Sequence, residues 1–558
     1  MLTAVLLLAN LAATAALVHH LDDNLPVVRF RLLATFITIS AVQLFFYGLW
    51  KIFLKPLCFS PFKHLPKPPG GSWINGHFRE IMDMGNGEAE VKWMKEIPNN
   101  GIIHCRGLLN GERLVVSSQT ALAKIATDNY TFIKPMAIKL LAGRVLGMGL
   151  VLTERDEHKQ QRKLFLPPFA PKHIRDLYPV FWAKACEVTH VMAELISKEE
   201  NGVEKKEGKN GGIEIGEWAA RVALDIITLS AMGKDFGSVS DAHAPLAKVY
   251  HAVLQPTLGH VVVAILKNFF PARLVEALPL KANEDQGSAY ETIRGVCRDL
   301  LHSKKAQMAD GQELKGRDIL SVCLRYEEIA GVDEDEVLNQ MTTILGAGHE
   351  TISVGITWAI YMLCLHRDWQ VSLREEVRAT APSPGSTETM SNAHVERMPL
   401  LRAFLEEVLR WYPPIPMTMR EPLVDTELDG LYVPKGTRIV VPIKAINREE
   451  KFWGADAKQF NPGRWLREGS GGHEFNSSGG VSNKYGYLTF NHGPRSCVAA
   501  EFARAEMACV VAAWVGRFDL DLADERFRNE ENMKTSNGNF SGKPLEGLYV
   551  RVKVVDGW

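Results

Sequence analysis

The sequence predicts a mainly α-helical protein with a minor β part, preceded by N-terminal transmembrane helices. Three observations carry that prediction. Apolar residues recur at helical spacing through most of the chain, the pattern of helices that bury one face. Runs with β character are short and few, at Leu114–Ser117, Arg438–Val441 and Tyr549–Val555. Two long uncharged apolar stretches open the chain, Leu2–Val18 and Leu32–Trp50.

Each opening stretch approaches the roughly 20 apolar residues that cross a bilayer as a helix. A buried core helix is one alternative. A cleaved signal peptide is another for the first stretch, because Ala13-Thr14-Ala15 resembles a cleavage site. No Lys or Arg precedes that stretch, however. Residues 1–55 are therefore read as a membrane anchor, with candidate spans 2–18 and 32–50. Arg29 and Arg31 between the spans are offset by Asp22 and Asp23, whereas Lys51, Lys55, Lys63 and Lys67 follow the second. The positive-inside tendency then places the rest of the chain in the cytosol, where the glycosylation patterns at Asn129, Asn476 and Asn539 would be idle. Residues 56–71 hold LPKPPGG, in which Pro66, Pro68 and Pro69 stiffen the backbone and cannot continue a helix. This reads as a hinge before a single body, 72–558.

A formal net charge of −1 argues against a polyanionic partner, and no long basic stripe suits nucleic acid. The eight cysteines form no CxxC pair, which suits a reducing compartment and supplies neither zinc site nor disulfide framework. Polar stretches at Ser197–Gly212, Thr380–Ala393 and Glu468–Lys484 read as surface loops. A helical run extends from about Asp335 to Leu365. The apolar run Leu258–Phe270 suits either a core helix or a segment dipping into lipid.

The chemistry gathers at FNHGPRSCVAAEF, Phe490 to Phe502. Gly493 and Pro494 force a bend, and the run after Cys497 is helical, so the cysteine is placed at a helix N-terminus. Free amides and the positive end of the dipole there favour a thiolate. Arg495 adds a cation, and Ala499, Ala500 and Ala503 leave room for something flat. A buried structural cysteine is the plainer alternative.

FNHGPRSC resembles the F-x-x-G-x-R-x-C haem-thiolate loop of the cytochrome P450 monooxygenases, through Phe490, Gly493, Arg495 and Cys497. With each residue type near one in twenty, four fixed positions coincide by chance in roughly one chain of several hundred. Other segments resemble the family in order. Glu407 and Arg410 fit its E-x-x-R helix, ended by Trp411-Tyr412-Pro413-Pro414, and Arg464 in Phe460-Asn-Pro-Gly-Arg-Trp465 fits the arginine that completes a charge network. Ala347-Gly348-His349-Glu350-Thr351 resembles the oxygen-side helix, with Glu350 and Thr351 delivering protons and Gly348 leaving space for a ligand. His158 and Arg162 lie where the family has W-x-x-x-R, and Arg420 matches a further arginine. The resemblance implies that these three reach haem carboxylates. It departs at Ala499, where the family usually has glycine.

The resemblance implies a cytochrome P450 fold, with haem between two helices, and haem b (iron protoporphyrin IX) on an axial thiolate from Cys497. It implies insertion of one oxygen atom from O2 into a lipophilic small molecule, with secondary metabolism as the setting. Lys134–Thr153, Ile344–Gly348, Ile415–Met419 and Thr535–Gly542 are expected around the substrate. No dinucleotide fingerprint or flavin segment is evident, so electrons are expected from an NADPH-cytochrome P450 reductase, with cytochrome b5 as a second donor. The expected location is the endoplasmic reticulum membrane, facing the cytosol. Alternatives are a haem-thiolate isomerase or dehydratase that does not use O2, and a non-enzymatic membrane protein.

Overall fold

The computed structural model describes residues 26–558 apart from 201–210, 243, most of 254–271, 310–317, 326–331, 470–471 and 537–540. The first apolar run, Leu2–Val18, and most of Leu258–Phe270 therefore lie outside the described residues. The second run forms α1 (Pro26–Leu49), which passes without a break into a π-helical stretch, Trp50–Cys58. The helix thus overruns the expected end at Trp50, because Ile52, Phe53 and Leu54 keep it apolar. Pro56 lies inside the π-helical stretch. It lacks the N–H that an α-helix would return to the carbonyl of Ile52. The proline-rich Leu65–Gly71 segment is tied to the body: Pro66 carbonyl accepts from His104 N–H at 2.8 Å, and Pro68 carbonyl lies 3.2 Å from His77 Nε2.

Ten further helices position the site: α2 (Gln119–Thr127), α3 (Met136–Leu146), α4 (Arg155–Phe165), α5 (Tyr178–Glu200), α6 (Ile215–Met232), α7 (Lys281–Ala309), α8 (Glu334–Leu365), α9 (Arg367–Thr380), α10 (Pro399–Trp411) and α11 (Ala500–Arg517). In α8, Glu334, Asp335 and Glu336 fill the first turn, where carboxylates suit the helix dipole. Beyond it, most side chains from Val337 to Cys364 are buried. A helix apolar on every face belongs in the middle of a fold, and α8 packs against α3, α6, α10 and α11. The large core joins α5, α6, α8, α9, α10 and α11.

Twelve short strands are described: β1 (Ile102–Arg106), β2 (Glu112–Val116), β3 (Phe132–Ile133), β4 (Ile213–Glu214), β5 (Thr418–Pro422), β6 (Thr426–Leu428), β7 (Leu431–Val433), β8 (Arg438–Val441), β9 (Leu466–Gly469), β10 (Gly472–Phe475), β11 (Phe518–Leu522) and β12 (Tyr549–Val554). The main sheet runs β1-β2-β8-β5-β3, with β2 and β8 parallel and Arg113 opposite Arg438. A second sheet runs β11-β12-β4. Asp429 (φ 50°) and Gly430 (φ 77°) make the β6–β7 turn, a pair suited to left-handed hairpin turns. Part of the expected loop Glu468–Lys484 is instead the hairpin β9–β10.

Candidate active site

The site forms where the loop before α11 faces α8. Gly493 adopts φ +71°, and a Cβ there would collide with the Ala126 carbonyl of α2, so only glycine brings the loop this close. Pro494 opens the 3-10 turn Gly493–Arg495, and Cys497 N–H donates to the Phe490 carbonyl at 2.8 Å. Cys497 precedes Ala499, the N-cap of α11, by two residues. Its surface is uncovered because it opens onto an interior cavity, so the sulfur is deep in the molecule yet reachable. Burial pushes the thiol up, against the Ala499 amide and the charges of Arg504 and Arg162, which pull it down. That net direction reverses the lowering expected of a helix N-terminus. Ala499 has an ordinary φ of −102°, so its methyl requires no strained backbone. The Phe490 ring lies beneath the Arg504 guanidinium at 4.5 Å.

Cations converge beside this loop. His158, Arg162, Arg420, Arg495 and Lys134 all line the cavity, although they come from α4, β5, the cysteine loop and the segment before α3. Arg495 pairs with Glu154. Buried Arg420 donates to Thr418 Oγ1 and the Met419 carbonyl, both at 2.8 Å, its hydrogen-bond partners among the described residues. Burial lowers the Arg495 and Arg420 guanidiniums to about 10. Lys134 is driven well below the usual lysine range by burial, then by Arg420, Arg495 and Lys139. Burial, Lys134 and Arg162 lower His158 to about 4, leaving it neutral at pH 7. Arg162 donates to the Ser496 carbonyl at 2.8 Å and its hydroxyl at 3.0 Å. It therefore braces the cysteine loop, a different contact from the carboxylate anchoring implied by its place beside His158. Lys134 was expected only as the start of a substrate-lining segment, and Glu154 was not expected at all, since neither sits in a distinctive motif.

Across the cavity, Glu350 accepts from Ser541 Oγ at 2.6 Å. Burial raises its carboxyl, opposed by that hydrogen bond and by Lys543. Thr351 Oγ1 donates to the Ala347 carbonyl at 2.9 Å. Gly348 lines the cavity, and a Cβ there would also lie 2.8 Å from the Ile227 side chain of α6, so this glycine admits that side chain as well. Parts of Lys134–Thr153, Ile344–Gly348 and Ile415–Met419 line the cavity, whose volume is about 1780 Å³. Within Thr535–Gly542, residues 537–540 lie outside the described residues, and Ser541 reaches Glu350.

Behind the loop, Glu407 and Arg410 form a fully buried bidentate pair, both contacts 2.7 Å. Arg410 also donates to the carbonyls of Asn447, Ala457 and Gln459 at 2.8, 2.9 and 2.7 Å. Glu407 accepts from Arg464 Nε at 3.3 Å, Asn461 N–H at 2.7 Å and Trp465 Nε1 at 2.9 Å. Asn447 carries the network onward, accepting from Leu488 N–H at 2.9 Å and donating to Thr489 Oγ1 at 2.8 Å. Thr489 and Phe490 lead directly into the cysteine loop, so the network holds its incoming strand.

A sequence model described as Cytochrome P450 matches residues 66–546. Among curated relatives, Cytochrome P450 monooxygenase buaD of Petromyces alliaceus is 75% identical over 553 residues, covering 99% of each chain. Cytochrome P450 monooxygenase sphH of Aspergillus fumigatus is 36% identical, covering 95% of this chain and 94% of its own. Cytochrome P450 monooxygenase FUM15 of Gibberella moniliformis is 34% identical, covering 91% and 90%.

Proposed function

The chain belongs to the cytochrome P450 family and is a haem-thiolate monooxygenase, and from that premise we propose that Cys497 ligates a haem b whose two carboxylates lie among Lys134, His158, Arg420 and Arg495. The observation that supports this most is the imbalance of charge. Four cationic or proton-donating groups meet in one buried region with Glu154 as the carboxylate touching Arg495. Buried charges are retained where they are paired, and Arg binds carboxylates especially well. The donor set fits a dianion, and the uncovered sulfur fits a soft metal centre.

When bound, the haem supplies the iron at which dioxygen is activated, with thiolate donation favouring O–O cleavage. The chain's own groups do the rest. Ala499 N–H and Arg162, through Ser496, hold the sulfur in place, and coordination would deprotonate it despite the burial. Phe490 and Gly493 shape the loop. Glu350, biased toward its protonated form and held by Ser541, stores a proton at the distal wall, with the Thr351 hydroxyl beside it. Glu407, Arg410 and Arg464 are structural, fastening the loop's incoming strand to α10.

The substrate is a lipophilic small molecule, and a secondary metabolite is the class this reading favours. Electrons come from a redox partner, which we assign to an NADPH-cytochrome P450 reductase, with cytochrome b5 as auxiliary donor. Residues 1–55 act as anchor, placing the body 72–558 on the cytosolic face of the endoplasmic reticulum. The stretch Ala34–Cys58 is long and apolar enough to cross a membrane, which supports this.

The test is the reduced, carbon-monoxide-bound difference spectrum of the full chain. The thiolate band is expected in the natural protein and absent from Cys497→Ser. A colourless protein from haem-replete cells overturns the reading. With reductase present, product formation that consumes neither NADPH nor oxygen would favour an isomerase or dehydratase instead.

A further inference from the structure

The cavity that holds Cys497 reaches the N-terminal helix. Leu44, Tyr47, Gly48, Lys51, Ile52 and Lys55 all line it. At 1.5 Å per residue, the 24 residues of α1 span about 36 Å, longer than a hydrocarbon core of about 30 Å. The apolar stretch ends at Cys58, so the last turns before it approach the membrane surface, beside the body. Almost none of the apolar stretch Ala34–Cys58 is covered by protein.

The join between helix and body is built by Asn110, in the turn between β1 and β2. It is 1% exposed and adopts φ +54°, a left-handed conformation that asparagine tolerates well. Its Nδ2 donates to the Ile52 carbonyl at 3.0 Å and the Trp73 carbonyl at 2.6 Å. Its Oδ1 accepts from Arg106 Nη1 at 3.0 Å. The Ile52 carbonyl lies in the π-helical stretch, so Asn110 ties the last turns of the helix directly to the β1–β2 turn. Aromatic contacts reinforce the join: Phe53 meets Trp73 and Trp50 stacks on Phe59, each pair 5.4 Å apart. Ser60 also hydrogen-bonds to Glu112, at the start of β2. The segment expected to act as a hinge is thus bracketed by side chains on both sides.

We propose that the last turns of the apolar helix form one wall of the substrate's entry channel, and that Asn110 clamps them there so that the mouth opens at the bilayer surface. This rests on the proposed reading of a lipophilic substrate and a membrane-anchored chain. Asn110 acts as a positioning residue, and the residue at 48 determines how wide the passage is. Gly48 lines the cavity and a Cβ built on it meets nothing within 4 Å, so a bulky side chain there narrows the passage without displacing the fold if the wall is where we place it.

The test uses the haem-loaded full chain in phospholipid nanodiscs and two nitrogen ligands of haem iron, imidazole and N-dodecylimidazole. Their association is followed by the shift of the haem absorption band. Gly48→Trp is expected to slow N-dodecylimidazole about tenfold while leaving imidazole within about twofold. Asn110→Gly keeps the left-handed backbone but removes both donors. It is expected to raise hydrogen exchange of the Trp50–Cys58 amides while the carbon-monoxide band persists. Unchanged N-dodecylimidazole association in Gly48→Trp overturns the channel wall, and unchanged exchange in Asn110→Gly overturns the clamp. Loss of the thiolate band in the natural protein would instead overturn the proposed function, so the two failures are distinguishable.

Discussion

Truncating Glu407 to alanine tests whether the buried charge network holds the cysteine loop. The substitution leaves the Arg410 guanidinium fully buried, with the carbonyls of Asn447, Ala457 and Gln459 as its remaining direct partners. It also strands Asn461 N–H and Trp465 Nε1, which donate to Glu407 at 2.7 and 2.9 Å. Breaking a buried pair by deleting one partner costs about 3–5 kcal/mol. Each orphaned buried donor adds about 1–3 kcal/mol, though losses within one network overlap rather than add. A total of about 5 kcal/mol is the reasonable sum. At about 2.1 cal/mol/K per residue, unfolding the domain matched over residues 66–546 carries an entropy of about 1 kcal/mol/K. The apparent Tm should therefore fall by about 5 °C. The assay is thermal loss of the haem absorption band, with yield of the carbon-monoxide band at low temperature as companion. Because Asn447 and Thr489 link this network to Phe490, the band should fade together with global structure. The exposed pair Lys458–Glu450 is the control, and Glu450→Ala should give no measurable shift. A Glu407→Ala protein with natural yield and a Tm within about 1 °C would refute the reasoning.

Cys497→Ser should abolish both the thiolate band and product formation while leaving the far-ultraviolet circular dichroism of the fold intact. Lys134→Met removes a cation that burial disfavours when no anion is bound; haem transfer to apomyoglobin should accelerate while the haem-free chain loses no stability, and unchanged transfer would remove Lys134 from the cofactor site. Glu350 titrates above its ordinary 4.5 because it is buried, so the folded chain keeps a proton that the unfolded chain releases as pH rises past that value. Stability from this group is present below pH 4.5 and lost as pH climbs toward the raised value. Glu350→Gln should flatten that decline in an apparent-Tm profile and lower product formation by about 10²-fold with the thiolate band preserved; a steeper decline would contradict the burial.

Much of the site was legible because its parts are local. Gly493 and Pro494 bend the backbone by their own conformational rules, and they did so where the loop was expected. The spacing of Glu407 and Arg410 places them on one helix face, and the structure joins them to Arg464. The strand Arg438–Val441 was also readable, since its β-branched run is short and continuous. The hairpin Leu466–Phe475 was not, because glycine and charge within it imitate a loop.

The sequence alone determined the candidates: a lone cysteine after a glycine-proline bend, a Glu–Thr pair in a long helix, and an apolar segment able to cross a bilayer. Those properties depend on a few neighbouring residues, where backbone conformation and side-chain type are enough. Only the tertiary structure decided what surrounds them. It buried Cys497 enough to raise rather than lower its thiol, turned Arg162 toward Ser496, set Ile227 against Gly348, and gathered Lys134, His158, Arg420 and Arg495 from distant segments. It also fastened the apolar helix to Asn110. Desolvation and charge act through space, so their balance appears only once residues far apart in the chain share one interior.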